Sequence, residues 1–193
     1  MIVKICGITN RDDAMAAVDA GASAIGFNFY RDSPRYISPT GAAMLAEKIP
    51  ANVWKVGVFV SEEAEAVARV ALQVGLDVAQ LHGTSEARGM RVWQACAIGD
   101  WELIGAGAEA LLIDTPSTKV YGGTGQTWGW PQARDISRRI IIAGGLDANN
   151  VQQAVEEARP WGVDACSRIE REPGLKDHDK MRKFIKAALE SKV

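Results

Sequence analysis

Two residues of this chain combine reactive chemistry with a place at the end of an apolar run. Cys6 closes "IVKIC" ahead of Gly7, and Asp114 closes "LLID" ahead of Thr115. A thiol with a reference pKa of about 8.5 becomes a usable base when a cation or a helix N-terminus stabilises its thiolate. Lys4 lies two residues before Cys6, on the same face of an extended segment, and either supports that thiolate or, in a purely structural role, pairs with Asp164 on an adjoining eighth strand. A carboxyl such as Asp114 supplies the complementary acid, so the pair suits a reaction that needs one protonated and one ionised group. Each residue also has a structural reading: buried cysteines are commonly inert small hydrophobes, and an aspartate after a strand is commonly a turn former.

Further candidates surround them in the sequence. "IAGGL" and "ACSRIE" each follow an apolar run, and "EPG" is expected to end a short helix after the second. Glycines let a backbone approach an anion closely, and a helix start offers free N–H donors, so Gly144, Gly145 and Ser167 form a candidate phosphate site; the alternative is a tight strand-to-helix turn. Arg35 stands in "RDSPRYISP", where Pro34 and Pro39 stiffen the loop, and its guanidinium suits bidentate capture of a carboxylate. His82 in "QLHG" serves either as an acid or base or, the favoured reading, as a satisfied polar group at the rim or a substrate contact. Two histidines in all, with no CxxC or HxxxH spacing, argue against a metal site.

The elements that must position these residues are short and repetitive. Eight β-type runs recur, most ending on or beside Gly, Asn, Asp or Ser: "IVKICG", "AIGFNF", "VWKVGVFV", "VAQLHG", "VWQACAIG", "ALLIDT", "RIIIAGG" and "GVDACS". Helical periods fall between most of them. Met181, Phe184, Ile185, Ala188 and Leu189 share one face; Val67, Val70, Ala71 and Val74 mark a helix started by Ser61; Val151, Ala154, Val155 and Ala158 mark one after "DANN". The segment from Thr9 to Gly21 has a cap, acidic residues in its first turn and a terminal glycine. Strand then helix, repeated without a linker, predicts an α/β fold: one (β/α)8 TIM barrel domain over residues 1–193, compact, with shortened helices in the middle units. An open doubly wound sheet is the alternative.

Strand parity predicts which side chains face inward. Lys4 and Cys6, Gln80 and His82, Gln94 and Cys96, and Asp164 and Cys166 form a mixed face toward the barrel interior. Val3 and Ile5, Val56 and Val58, Ala79 and Leu81, and Val163 and Ala165 form the apolar face toward the helices. Chemistry then gathers where the strands end, at Cys6, Asn28, His82, Asp114 and Cys166, the rim at which this architecture builds active sites.

Composition narrows the classes. With 22 basic and 24 acidic residues among 193, and no long run of one sign, no broad nucleic-acid footprint is expected. Three widely spaced cysteines suit free thiols in a reducing compartment. No stretch approaches the ~20 apolar residues of a membrane span, and Met1 leads straight into a strand, so a cytoplasmic location is expected.

Taken together, "VKICGITN", "AIGFNFY", "SPRYISP", "KVGVFV", "QLHG", "LLIDT", "YGGTG", "IIAGGLDANNV", "GVDACS" and "EPGLKDHDKM" resemble, in order and spacing, the phosphoribosylanthranilate isomerases of tryptophan biosynthesis, from Ile2 to about Leu189. The resemblance implies a cofactor-free Amadori rearrangement of an aminoaldose phosphate into an aminoketose phosphate. It implies Asp114 as general acid, Cys6 as general base, and Arg35 on the anthranilate carboxylate. It places the phosphate cradle in the loops around Gly123, Gly144, Gly145 and Ser167. The expected partner is a small phosphorylated substrate, with no nucleic acid or membrane, in a monomer or homodimer.

Two positions depart from the family pattern. Cys166, Ser167 and Arg168 replace a Ser-Ser-Gly type turn, so that Arg168 either adds a charge to the phosphate or crowds a backbone N–H. Trp128, Gly129 and Trp130 replace an aromatic-Asp-Trp triplet and lose a helix cap. Two competing functions remain at this level: a related lyase or synthase on an indole- or thiazole-type phosphate, which needs a rim lysine or further carboxylates, and a non-catalytic sugar-phosphate binder.

Overall fold

The eight short apolar runs become eight parallel strands that pair in chain order and close on themselves. The computed structural model describes residues 1–114 and 129–191. Its strands are β1 (Ile2–Cys6), β2 (Ala24–Asn28), β3 (Trp54–Val60), β4 (Val78–His82), β5 (Arg91–Cys96), β6 (Ala110–Ile113), β7 (Ile140–Ile142) and β8 (Gly162–Ala165). β8 closes against β1 with Lys4 opposite Asp164 and Ile5 opposite Ala165. This closure excludes the open sheet, which requires two unpaired edges.

Among the described residues five α-helices cover the strands: α1 (Arg11–Asp19), α2 (Pro39–Ala46), α3 (Ala64–Val74), α4 (Val151–Ala158) and α5 (His178–Glu190). Their starts follow from side-chain oxygens that take up otherwise unpaired N–H groups. Asn10 accepts from the Asp13 N–H, Ser38 from the Gly41 N–H with Pro39 at the first position, and Asp177 from the N–H groups of Asp179 and Lys180. The start of α3 differs from expectation. Its cap is Glu63, without a side-chain bond, while Ser61 adopts a left-handed φ of 52° and so belongs to the turn before the helix. On α5, Met181, Phe184, Ile185 and Ala188 are buried as expected, but Leu189 is 54% exposed at the margin of the stripe.

The middle units are shorter than a full strand–helix repeat. Residues 83–90 form no helix, and a single 3-10 turn, Trp101–Leu103, joins β5 to β6. Another 3-10 turn, Trp130–Ala133, precedes β7; Gly129 stands at its cap position and offers no side-chain bond. The segment after β8 also departs from expectation. A three-residue 3-10 turn, Ser167–Ile169, leads into an antiparallel hairpin of β9 (Glu170–Glu172) and β10 (Leu175–Lys176). "EPG" therefore turns the hairpin, with Gly174 at φ 86°, instead of ending a helix.

Two apolar layers result. The outer one packs the outward faces of the strands, such as Ile5, Phe27, Phe59 and Leu111, against helix residues such as Val67, Val155 and Phe184. The inner one fills the barrel with Ala24, Val56, Val78, Trp93, Leu112 and Ile141. Parity holds on β1, β4 and β8 but is reversed on β3 and β5. Val56, with Val58 at the same parity, faces inward, and Phe59 meets the outer layer. On β5, Trp93 and Ala95 face inward, while Cys96, and Gln94 by parity, face out. Strands buried on both faces carry apolar residues at odd and even positions alike, so alternation alone leaves their facing undetermined.

Candidate active site

Charge enters the barrel interior at β1 and β8. The Lys4 ammonium, fully buried, lies 2.8 Å from Asp164 Oδ1, an ion pair allowed by the register that sets the two residues side by side. Burial works against the lysine's charge, but Asp164 and Cys6 outweigh it and hold its pKa above the ordinary value. Cys6 is the next inward residue on β1. Its thiol is drawn down to about 7: a hydrogen bond from Cys166 is the largest cause, burial opposes it, and the Lys4 ammonium adds to it. At neutral pH a substantial fraction of Cys6 is therefore thiolate. Cys166 moves the other way, well above the usual thiol range, because it shares that hydrogen bond and is buried.

Asp114 begins the loop after β6, with its N–H donating to the Cys96 carbonyl at 3.1 Å. It lines a hollow at the strand ends together with Gly144, Gly145, Cys166, Ser167 and Arg168. Asp164, the partner of Lys4, lines the same hollow. Gly144 and Gly145 have φ values of 87° and 63°, a left-handed pair that side chains rarely adopt. Asn150 ties this loop down: its amide donates to the Gly145 carbonyl and its oxygen accepts from the Asp147 N–H, each at 2.9 Å. Arg168 reaches the same loop, with Nη1 3.3 Å from Asp147 Oδ2. Gly123 lies outside the described residues.

Arg35 crosses the end of β1. A Cβ added at Gly7 would come 2.8 Å from Arg35 Cδ and 3.1 Å from Cys166 Sγ, so glycine there lets the arginine stem and the sulfur lie side by side. Glu170 holds the guanidinium with contacts of 3.0 and 3.1 Å to Nε and 2.7 Å to Nη2. The same carboxylate takes a 2.8 Å bond from the buried Lys176 ammonium. Burial raises the cost of the Glu170 charge, yet Arg35 and Lys176 more than offset it and lower its pKa.

His82 stands apart from the hollow. It is buried at the end of β4 with Nε2 2.9 Å from the Gln80 amide nitrogen. An amide nitrogen donates, so Nε2 accepts and the ring proton sits on Nδ1. Burial first, and then Lys4, push its pKa down to about 4, so the ring is neutral at physiological pH. A rim polar group fits this better than a proton shuttle. Among the described residues no cluster of three or more His, Cys, Asp or Glu could hold a metal ion.

Asp114 and the glycine turn thus line one hollow at the strand ends, and Cys6 closes β1 at the same end of the barrel, beside the Asp164 and Cys166 that wall that hollow. A model of the family described as "N-(5'phosphoribosyl)anthranilate (PRA) isomerase" matches residues 3–187. The chain belongs to this isomerase family. It is 50% identical over 197 residues to N-(5'-phosphoribosyl)anthranilate isomerase of Solibacter usitatus, covering 97% of each chain. It is also similar to the crystal structure of phosphoribosyl anthranilate isomerase from Thermotoga maritima, with a TM-score of 0.87, 39% identity, and 98% and 99% of the two chains covered. Similar too is a phosphoribosyl anthranilate isomerase crystallised with reduced 1-(o-carboxyphenylamino)-1-deoxyribulose 5-phosphate, with a TM-score of 0.85, 39% identity and the same coverage.

Sequence reasoning missed two residues in this family member, Glu170 and Lys176. A hairpin reading of "EREPGLK" would have found them, because Glu170 and Lys176 are direct cross-strand partners of opposite charge. Taking "EPG" as a helix end hid that pairing.

Proposed function

We propose that the chain isomerises N-(5'-phosphoribosyl)anthranilate to 1-(2-carboxyphenylamino)-1-deoxyribulose 5-phosphate, in L-tryptophan biosynthesis, with Asp114 as acid and Cys6 as base. The Asp114 carboxyl protonates the ribose ring oxygen, the bond from C1' to that oxygen breaks, and the nitrogen lone pair forms a protonated Schiff base. The Cys6 thiolate then removes the C2' proton, and the electron pair moves through C1' to nitrogen, leaving an enolamine. Tautomerisation puts the carbonyl at C2' and two hydrogens on C1'. No electron leaves the molecule, so the chemistry requires no cofactor.

The observation that carries this reading is the hollow shared by Asp114 and the left-handed Gly144–Gly145 turn, walled by the Asp164 and Cys166 side chains that adjoin Cys6. Backbone N–H groups at such a turn, with the Ser167 hydroxyl, suit a phosphate, and Arg168 adds positive charge beside them. Arg35 keeps Nη1 outside its contacts with Glu170, which leaves a donor for the anthranilate carboxylate. His82 supports the wall as a neutral polar group or touches substrate. Binding that orients the pentose between acid and base supplies the rest of the acceleration.

The rival lyase or synthase reading asks for a catalytic lysine facing the mouth. Lys4 and Lys176 are both fully buried and committed to Asp164 and Glu170, which favours the isomerase. We assign the enzyme to the cytoplasm, as a monomer or homodimer without nucleic-acid or membrane partners. No helix among the described residues is long and apolar enough to cross a membrane, and a Thermotoga maritima relative is described as dimeric. Supplying phosphoribosylanthranilate and following the loss of anthranilate-type fluorescence tests the reading. Binding without turnover would favour the non-catalytic sugar-phosphate binder.

A further inference from the structure

Cys166 is a second buried thiol beside the proposed base, and the mechanism above gives it no step. Its place follows from the register. β8 pairs with β1 through Lys4–Asp164 and Ile5–Ala165, so Cys6 and Cys166 occupy the next position on neighbouring strands, which run about 4.8 Å apart. Lys4 and Asp164, two residues earlier on each strand, meet inside the barrel, so by parity both thiols also face inward as neighbours, each within reach of the other's proton. We propose that Cys166 is a positioning residue for the isomerase reaction: its thiol donates a hydrogen bond to the Cys6 thiolate and holds that sulfur toward the barrel mouth. The proposal rests on reading Cys6 as the base.

Competition for the Cys166 proton supports this direction of donation. The other acceptor in reach is Glu170 Oε1, at 4.0 Å. That carboxylate already receives bonds from Arg35, from Lys176 and from the Gly174 N–H. Cys6, by contrast, has the Lys4 ammonium on its own strand favouring its anion, so an S–H donor beside it completes the sulfur's coordination. Lys176 Nζ meets Cys166 at 3.8 Å from Sγ and 3.4 Å from the carbonyl oxygen, which anchors the donor from the hairpin side. Glycine at position 7 keeps the space next to Cys166 Sγ open to the Arg35 stem.

Several charged groups face this pair, and any pH effect must be separated from theirs. Lys4 approaches from β1, Asp164 from β8 and Arg35 from the loop after β2. Glu170 and Lys176 approach from the β9–β10 hairpin. His82 on β4 senses Lys4 but is neutral above about pH 4. Truncating Cys166 also removes its contacts with Glu170 at 4.0 Å and Lys176 at 3.8 Å, so the serine variant, which keeps a polar atom there, is the control that separates their effect from that on Cys6.

The test compares wild type with Cys166→Ala, Cys166→Val and Cys166→Ser, each verified as folded by circular dichroism. The pH profile of kcat/KM and the ultraviolet absorbance of the Cys6 thiolate are read for each, in a Cys96→Ala background. Removing the donor should shift the acid limb upward by about one pH unit, lowering kcat/KM about tenfold near pH 6.5, with less than about threefold change near pH 9. The thiolate titration should move with it. Valine fills the sulfur's volume without donating and covers the case in which the alanine variant does not fold. Serine, whose hydroxyl donates, should restore most of the loss.

An unmoved acid limb and an unmoved thiolate titration in a folded donor-less variant would overturn the proposal. So would a loss that serine leaves uncorrected. The base assignment fails separately, if Cys6→Ala keeps its turnover; the thiolate titration still decides whether Cys166 holds Cys6.

Discussion

The barrel interior has two halves of opposite character. At the mouth, where the strands end, lie the Lys4–Asp164 pair, the two thiols and the His82–Gln80 contact. At the floor, where the strands begin, three tryptophans face one another: Trp54, Trp93 and Trp161, with ring centroids 5.8 to 6.0 Å apart. Arg91 lies over Trp54 and Arg139 over Trp161, at 4.7 and 5.1 Å, and Glu109 pairs with both arginines. The floor excludes water with apolar area, its charged groups confined to the rim, and leaves the Trp93 indole N–H buried without a hydrogen-bond partner among the described residues. The mouth carries ionisable groups in a low-dielectric wall, where each charge is tolerable because another group answers it. Apolar packing dominates one half and paired ionisable groups the other.

Five expectations put that division at risk. The largest concerns rate: Cys6→Ala and Asp114→Ala should each lower kcat by ~10²- to 10⁴-fold, with ligand affinity within about tenfold of wild type. Steady-state kinetics and a melting curve decide it. Retention of more than about a tenth of the rate removes that residue from the mechanism, and a collapse in melting temperature would show that the mouth is structural after all.

Trp93→Ala should have the reverse profile. Emptying a fully buried indole site costs about 3–5 kcal/mol of stability, which denaturant unfolding measures. If the variant folds, its kcat should stay within about threefold of wild type. Lys4→Met straddles the two halves of the argument, because it strands the buried Asp164 carboxylate, at about 3–5 kcal/mol, and also withdraws a cation from Cys6. Its acid limb should therefore move upward while its stability falls.

A smaller effect concerns pH. His82 has a folded pKa of about 4 against an ordinary value near 6.5, so between those values the unfolded chain binds the extra proton. Stability is complete above about pH 6.5 and is lost as pH falls toward 4, by up to about 3 kcal/mol. His82→Gln should flatten that part of the stability profile; an unchanged slope would mean that another group titrates. The smallest effect is expected of Arg35→Ala. Glu170 already occupies Nε and Nη2, so loss of the remaining contact should raise KM about tenfold, near 1.5 kcal/mol, and leave kcat little changed.

Which parts of this were legible beforehand follows from the range of the forces involved. The eight strands, the buried stripe of α5 up to Ala188 and the capped start of the Thr9–Gly21 segment depend on neighbours within a few residues, and the linear chain displays them. The candidates Cys6, Asp114, Gly144 and Gly145 were likewise visible as residue types at strand ends, and Ser167 and Arg168 through the family resemblance. The inward facing of Val56 and Trp93 was hidden, because β3 and β5 are apolar on both sides and the barrel's register sets their orientation. The Glu170 bridge was hidden too, since it joins Arg35 to a hairpin 135 residues further on. Local sequence determined which segments extend, which coil and where reactive side chains fall. The Lys4–Asp164 pair was one of two readings open from sequence; closure of β8 onto β1 chose it and brought Cys6 and Cys166 beside it, because short-range attraction between charges and sulfurs acts only after the ends of the chain have been brought together.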